Sequence, residues 1–102
     1  MELVFVKKLD INLESLVKDC EEYFNEQTEM VKKYGHVYDF DDATEFLENV
    51  LEIYDYMIDA SRYEYVYDNG SELFEQLINA IIDYSANNGK KELARKLKRL
   101  NK

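Results

Sequence analysis

The sequence contains no proline and no tryptophan, and only three of its 102 residues are glycine. Because proline and glycine interrupt helices most strongly, their scarcity favours long helices. The longest wholly apolar run, Leu3 to Val6, is far shorter than the roughly 20 residues that cross a membrane. Glu2 and Lys7 flank this run, a pattern that is not typical of a signal peptide. These absences predict a helical protein without a membrane partner.

The sequence is also poor in residues that carry chemistry, with one cysteine and one histidine. Cys20 cannot form an internal disulfide, so we expect a reducing, cytoplasmic location. It lies between Leu16 and Tyr23 on an apolar face, which predicts a packing thiol rather than a nucleophile paired with His36. Phosphate-binding glycine loops, serine-centred elbows and Cys-x-x-Cys motifs are absent as well. The sequence therefore predicts neither an enzyme nor a cofactor.

Charge is distributed unevenly along the chain, whose formal net charge is -9. Residues 1–89 contain 21 acidic and 6 basic side chains, a balance of -15, whereas residues 90–102 contain 1 acidic and 7 basic side chains, a balance of +6. The acidic body should repel nucleic acids and attract cationic surfaces, and the basic end should do the reverse. With 46% apolar residues, the chain is expected to form one globular domain over residues 1–102.

The first half of the chain has the spacing of two amphipathic helices. Apolar positions recur in steps of three and four from Leu13 to Tyr34, with Asp10 or Asn12 as the N-cap and Gly35 at the C-terminal end. A second helix should begin at the capping-box-like sequence 42–45 and end near Ala60 or Ser61.

The second half predicts a third helix and a short fourth one. Apolar spacing from Leu73 to Tyr84 indicates the third helix, after a turn at residues 68–70. Residues 90–102 form a basic C-terminal helix with leucines on one side. Three long helices and a short one must cover each other's apolar stripes, so the predicted fold is mainly α, a small helical bundle.

Two segments leave their conformation open. Residues 1–9 include Val-Phe-Val and are predicted to form a short strand or an extended arm. Residues 62–67 alternate tyrosine with glutamate and valine, and this period of two favours an extended segment that could pair with the arm. The near-helical spacing of Met57, Ile58 and Tyr65 supports the alternative, an extension of the second helix.

One acidic cluster invites a metal-site interpretation, because carboxylates and imidazole are metal ligands. Its members are His36, Asp39, Asp41, Asp42 and Glu45. The spacing does not fit a calcium loop, since the central glycine is missing and Val50 stands where a glutamate is needed. Carboxylates at a helix N-terminus are favoured by the helix dipole. We therefore predict a linker with a helix cap, and no metal site.

The most informative feature is a segment where tyrosines and acids alternate, with five of the nine tyrosines between residues 54 and 67. Tyrosine gives a large contact area with few rotatable bonds, and carboxylates steer cationic partners. We predict that partner-binding residues lie here: Tyr54, Asp55, Tyr56, Asp59, Tyr63, Glu64, Tyr65, Tyr67 and Asp68. Tyr56 lies off the apolar stripe, so we expect it to be exposed. The alternative is that Tyr54, Tyr63 and Tyr65 serve packing.

Two functional hypotheses follow. The first is an inhibitor or adaptor that binds a basic protein, including one that acts on nucleic acids, by analogy of composition with immunity proteins, antitoxins and phage-encoded nuclease inhibitors. The second is a self-associating structural protein, a homodimer formed through the stripe from Leu13 to Tyr34 and the N-terminal arm. The basic residues 90–102 are expected to complement the acidic body, with direct binding of nucleic acid as the less favoured alternative.

Overall fold

The computed structural model describes residues 9–101 and contains four α-helices in this range. They are α1 (Leu13–Tyr34), α2 (Ala43–Ile53), α3 (Ala60–Asn87) and α4 (Lys91–Leu100). The long helix α3 contacts each of the other three, and α1 also contacts α2. The predicted mainly α bundle is confirmed. The expectation of an N-terminal strand or arm concerns residues 1–8, which lie outside the described residues; Leu9, which follows them, is buried.

Helix α1 begins and ends at signals that the sequence provides. The Asn12 side chain accepts a hydrogen bond from the Ser15 backbone N–H at 3.1 Å, which makes Asn12 the N-cap. Gly35 ends the helix with a φ of 68°, and its N–H donates to the Val31 carbonyl. This left-handed conformation favours glycine because a Cβ would be strained there.

Only the first half of α1 contributes its apolar stripe to the core. The buried residues share one face of that half: Leu16, Val17, Cys20, Tyr23 and Phe24. Further along, Met30 and Tyr34 are exposed to solvent. The stripe predicted over the whole helix is therefore buried over its first half and open at its end.

Buried side chains from all four helices form one core. An aromatic cluster with ring centroids 5.0 to 6.0 Å apart joins α1 to α2 and contains Tyr23, Phe24, Phe40 and Phe46. Helices α3 and α4 supply aliphatic residues at the positions expected from their spacing: Leu73, Leu77, Ile78, Ile81, Ile82, Leu93, Ala94 and Leu97. Burial on this scale is the main term that stabilises the bundle.

Helix α2 ends at Ile53 and not near Ala60 as the sequence suggested. The Tyr56 N–H donates to the Leu51 carbonyl at 2.9 Å, and the Asp55 N–H donates to the Glu52 carbonyl at 3.3 Å. Asp55 has a φ of 60°. These are the hydrogen bonds of a Schellman motif, which usually has glycine at the left-handed position. Because an aspartate occupies it here, the sequence lacked the usual signal for a helix end.

Residues 62–67 are helical, which corrects the expectation of an extended segment, and the turn expected at residues 68–70 is also part of α3. The helix begins at Asp59, whose carboxylate accepts a hydrogen bond from the Ser61 N–H at 2.7 Å. The Asn69 side chain donates to the Tyr65 carbonyl at 2.9 Å. Asn69 therefore bonds along the helix instead of opening a turn. Elongating an existing helix adds one hydrogen bond per residue, which outweighs weak local turn preferences.

The basic helix α4 is attached to the acidic α1. The Lys90 ammonium lies 2.9 Å from the Glu21 carboxylate, and the Lys96 ammonium lies 5.0 Å from the centroid of the Phe24 ring. Two of the predicted basic residues thus complement the body of the protein. Among the described helices, none has an apolar stretch long enough to cross a membrane.

Candidate functional site

The nine residues predicted to bind a partner fall into two groups in the structure. Residues 54–59 form the connection between α2 and α3, and residues 63–68 lie on the first turns of α3. The two groups differ in the direction of their aromatic rings.

The connection directs its tyrosines toward the protein. Tyr54 is half-buried and packs against the core. Tyr56, expected to be exposed, is half-buried, and its hydroxyl donates to the Asp19 carboxylate at 2.6 Å. The expectation failed because it continued the geometry of α2 past Ile53, whereas the Schellman motif at Asp55 changes the chain direction. This group fixes the connection to α1.

The pKa values in the connection agree with a structural role. Burial, together with the nearby charges of Glu26 and Glu22, raises the pKa of Tyr54 to about 12. Burial also raises the pKa of Tyr56, as does its hydrogen bond to Asp19. Both phenols therefore remain neutral hydrogen-bonding groups at neutral pH. Hydrogen bonds from Ser61 lower the pKa of the N-cap Asp59.

The group on α3 directs two tyrosines outward. Tyr63 and Tyr67 are 55% and 78% exposed, and their rings stack with centroids 6.4 Å apart and an interplanar angle of 14°. Glu64 and Asp68 each follow one of these tyrosines and are exposed. Tyr65 lies on the opposite side and packs against the core. The pair Tyr63–Tyr67 is thus exposed to solvent, and each ring is followed along the chain by a carboxylate.

These two rings line a groove between α2 and α3, which we call the α2–α3 groove. Its volume is about 220 Å³. Glu48 and Glu52 of α2 also line it, and the remaining lining residues are Met57, Val66, Gly70 and Phe74. Sites for small molecules usually measure about 300–1,000 Å³. The groove is therefore better matched to one side chain of a protein partner than to a cofactor.

Sequence reasoning did not single out Glu48, Glu52 or Gly70. Tyr63, Tyr67, Gly70 and Phe74 follow one another in steps of four, three and four, which is the spacing of one helical face. Gly70 interrupts the hydrophobic signal of that face and was interpreted as part of a turn. The two glutamates became relevant only through the packing of α2 against α3.

The part of the chain that forms the groove is strongly acidic. Residues 34–89 contain 13 acidic side chains and one basic side chain, Arg62, a balance of -12. Arg62 is turned elsewhere, since its guanidinium lies 3.5 Å from the Tyr56 carbonyl and 3.7 Å from the Asp10 carboxylate. No basic side chain of residues 9–101 lines the groove. A cation that reached it would meet carboxylates that no basic side chain of residues 9–101 compensates there.

The acidic linker has the expected capping geometry. The Asp42 side chain accepts a hydrogen bond from the Glu45 N–H at 2.9 Å, and the Glu45 carboxylate accepts one from the Asp41 N–H at 3.2 Å. Within residues 9–101, no three side chains of histidine, cysteine, aspartate or glutamate are grouped closely enough to hold a metal ion. Cys20 is buried as expected, and burial raises the pKa of its thiol.

Comparison with known proteins found no family model, curated protein or solved structure that matches this chain. The functional interpretation therefore depends on the chemistry of the site itself. That chemistry combines two outward phenol rings, two carboxylates and an apolar floor with a strongly acidic surrounding surface.

Proposed function

We propose that this protein is a small acidic binding protein that inhibits a basic protein, in the manner of immunity proteins, antitoxins or phage anti-defence proteins. The observation that carries the proposal is the outward pair Tyr63–Tyr67 beside the acidic α2–α3 groove. Tyrosine is enriched at the energetic centres of protein interfaces. A target that acts on nucleic acids is a suitable partner because its binding surface is basic and meets phosphates.

The charge pattern supports the same proposal. A surface with a balance of -12 over residues 34–89 would accelerate encounter with a cationic protein, and this acceleration would weaken with salt. In the basic segment 90–102, Lys90 and Lys96 contact α1, so part of its positive charge is directed toward the acidic body. A single, buried thiol is compatible with a cytoplasmic location.

Affinity capture with matched tyrosine variants tests the proposal. The immobilised protein should retain basic proteins at low salt and release them at high salt. Tyr67→Ala should weaken capture by about 30-fold, the equivalent of about 2 kcal/mol at an interface centre. Tyr34→Ala removes a similarly exposed tyrosine at the far end of α1 and serves as the control. An isolated partner should then lose its own activity when the purified protein is added.

Two results would contradict this function. One is retention of proteins that are no more basic than an average lysate protein. The other is an equal loss of capture with Tyr34→Ala and Tyr67→Ala, which would show that the outward pair has no special role.

Self-association is the second candidate function, and one observation favours it. The end of α1 and the following linker expose these apolar side chains: Met30, Tyr34, Val37 and Tyr38. Tyr38 also packs on Phe24 and Phe40, so Met30, Tyr34 and Val37 form the uncovered part of this patch. Exposed apolar patches of this kind often mark interaction surfaces. Sedimentation across micromolar concentrations tests the candidate. A dimer that dissociates in Tyr34→Ala supports it, and a monomer throughout removes it.

A further inference from the structure

We propose that the α2–α3 groove receives an arginine side chain of the basic partner, next to Gly70. This inference rests on the proposed function and names the group that its site recognises. Three properties of the groove lead to arginine: its aromatic wall, its carboxylates and the open space that a glycine leaves inside α3.

The aromatic wall suits a guanidinium. Tyr63 and Tyr67 lie nearly parallel, at an angle of 14°, and both line the groove. A guanidinium is planar, stacks on aromatic faces and is more weakly hydrated than an ammonium. Its attraction to a phenol ring contributes about 0.5–1 kcal/mol at an exposed site and more when water is excluded. Lysine has no planar group that could use the wall in this way.

The carboxylates lie on the opposite wall. Glu48 and Glu52 are one helical turn apart on α2 and exposed, and no described side chain forms an ion pair or hydrogen bond with either. Two carboxylates one turn apart repel each other slightly, and a cation between them removes this repulsion. The five N–H groups of a guanidinium can donate to both.

Gly70 provides the space. It lies within α3, where glycine is less favourable than alanine by about 1 kcal/mol. Its φ is not in the left-handed region, so the backbone does not require glycine there. A Cβ built at Gly70 would meet no heavy atom within 4 Å, so the space beside it is open. Since Gly70 also lines the groove, a side chain at this position would occupy the volume that the arginine needs.

The apolar floor of the groove suits the methylene groups of an arginine side chain. Val66 and Phe74 are buried residues of α3 that line it, and Met57 lines it from the connection. The three methylene groups of an arginine side chain can cover such a floor while the charged end remains near the carboxylates. The volume of about 220 Å³ admits one long side chain.

The test uses the full chain and a capped tripeptide with a central arginine, followed by NMR. We expect the arginine peptide to shift the Gly70 amide and the Tyr63 and Tyr67 ring signals in a saturable manner. Matched peptides with central lysine or glutamine should bind at least about tenfold more weakly. Shifts that avoid Gly70 and both rings, or equal binding of the arginine and lysine peptides, would overturn the proposal.

Variants then distinguish binding in the groove from attraction to the acidic surface in general. Gly70→Met should fill the groove and weaken binding of the arginine peptide at least about tenfold, while the protein becomes no less stable because methionine is a good helix former. The double variant Glu48→Gln with Glu52→Gln should cause a similar loss. Its control, Glu75→Gln with Asp83→Asn, removes two exposed charges from α3 outside the groove and should retain binding. Equal losses in both pairs would overturn the proposal.

Different results would contradict the groove proposal and the inhibitor proposal. If a basic protein is captured and Gly70→Met captures it equally well, the groove proposal is wrong and the inhibitor proposal remains. If the arginine peptide binds at Gly70 and no basic protein is retained, the groove is a guanidinium site and the inhibitor proposal is wrong.

Discussion

The two halves of α3 are one continuous helix with opposite roles. Residues 60–72 bury a single side chain, Val66, and direct Tyr63 and Tyr67 to solvent. Residues 73–87 bury a complete apolar face against the other helices. Stability is thus concentrated in the second half, and the first half is held as a helix mainly by continuity with it. The exposed tyrosine pair thus lies on a helical segment that has almost no core of its own and extends from one that does.

The largest expected difference between the halves is in how much stability is lost when a side chain is truncated. Leu77→Ala should lower the free energy of unfolding by about 2–5 kcal/mol, because it leaves a cavity at a fully buried position. Tyr67→Ala should change it by no more than about 0.5 kcal/mol, because the ring is outside the core. Urea unfolding of both variants measures the contrast. Comparable losses would mean that the halves do not differ as described.

A sharper comparison concerns two tyrosine hydroxyls, that of Tyr56 in the connection before α3 and that of Tyr67 on α3. Tyr56→Phe should lower the free energy of unfolding by about 1 kcal/mol, since it removes the hydrogen bond to Asp19. Tyr67→Phe should have no measurable effect, because its hydroxyl forms no hydrogen bond within residues 9–101. Denaturant unfolding compares the two phenylalanine variants. An effect of equal size in both would show that the Tyr56 contact does not stabilise the fold.

Two glycines at α3 should respond in opposite directions. Gly70→Ala should raise the free energy of unfolding by about 0.5–1 kcal/mol, because alanine loses less backbone entropy in a helix and meets open space there. Gly89→Ala should lower it, because Gly89 ends the helix with a φ of 78°. Thermal unfolding measures both. A less stable Gly70→Ala protein would disprove the open space that the groove proposal requires.

The smallest effect concerns the half-buried Tyr54 and appears only at alkaline pH. Its pKa is raised in the folded protein, so the unfolded chain loses the phenol proton first as pH rises. The contribution is complete below about pH 10 and is lost as pH rises toward about 12. Denaturant unfolding at several alkaline pH values should show a smaller decline for Tyr54→Phe than for the parent chain. An identical decline would contradict this assignment.

The predictability of the fold differed between regions for physical reasons. Short-range spacing predicts the N-cap Asp42, the helix end at Gly35 and the core positions of the second half of α3, and the structure agrees. For α1 the sequence offered Asp10 or Asn12, and the structure uses Asn12. The end of α2 was not predictable from glycine or proline, because Asp55 takes the left-handed position. The extended conformation expected for residues 62–67 is wrong: Tyr63, Tyr65 and Tyr67 alternate along the sequence, but in the helix Tyr63 and Tyr67 face solvent and Tyr65 packs against the core.

For the candidate site, the sequence identified the tyrosines and acids of residues 54–68 but not their directions. It gave no reason to choose Tyr63 and Tyr67 over Tyr54 and Tyr56, because the difference depends on where α2 stops and α3 begins. It also gave no reason to include Glu48, Glu52 and Gly70, which join the groove only when α2 packs beside α3.

The sequence by itself determined that the chain is helical, that residues 1–89 are acidic and that residues 90–102 are basic. These properties depend on composition and on contacts between residues three or four apart. The tertiary structure decided which tyrosines face solvent and which acids stand opposite them. Such choices depend on the angle and depth at which helices pack, and side chains distant in sequence fix these together.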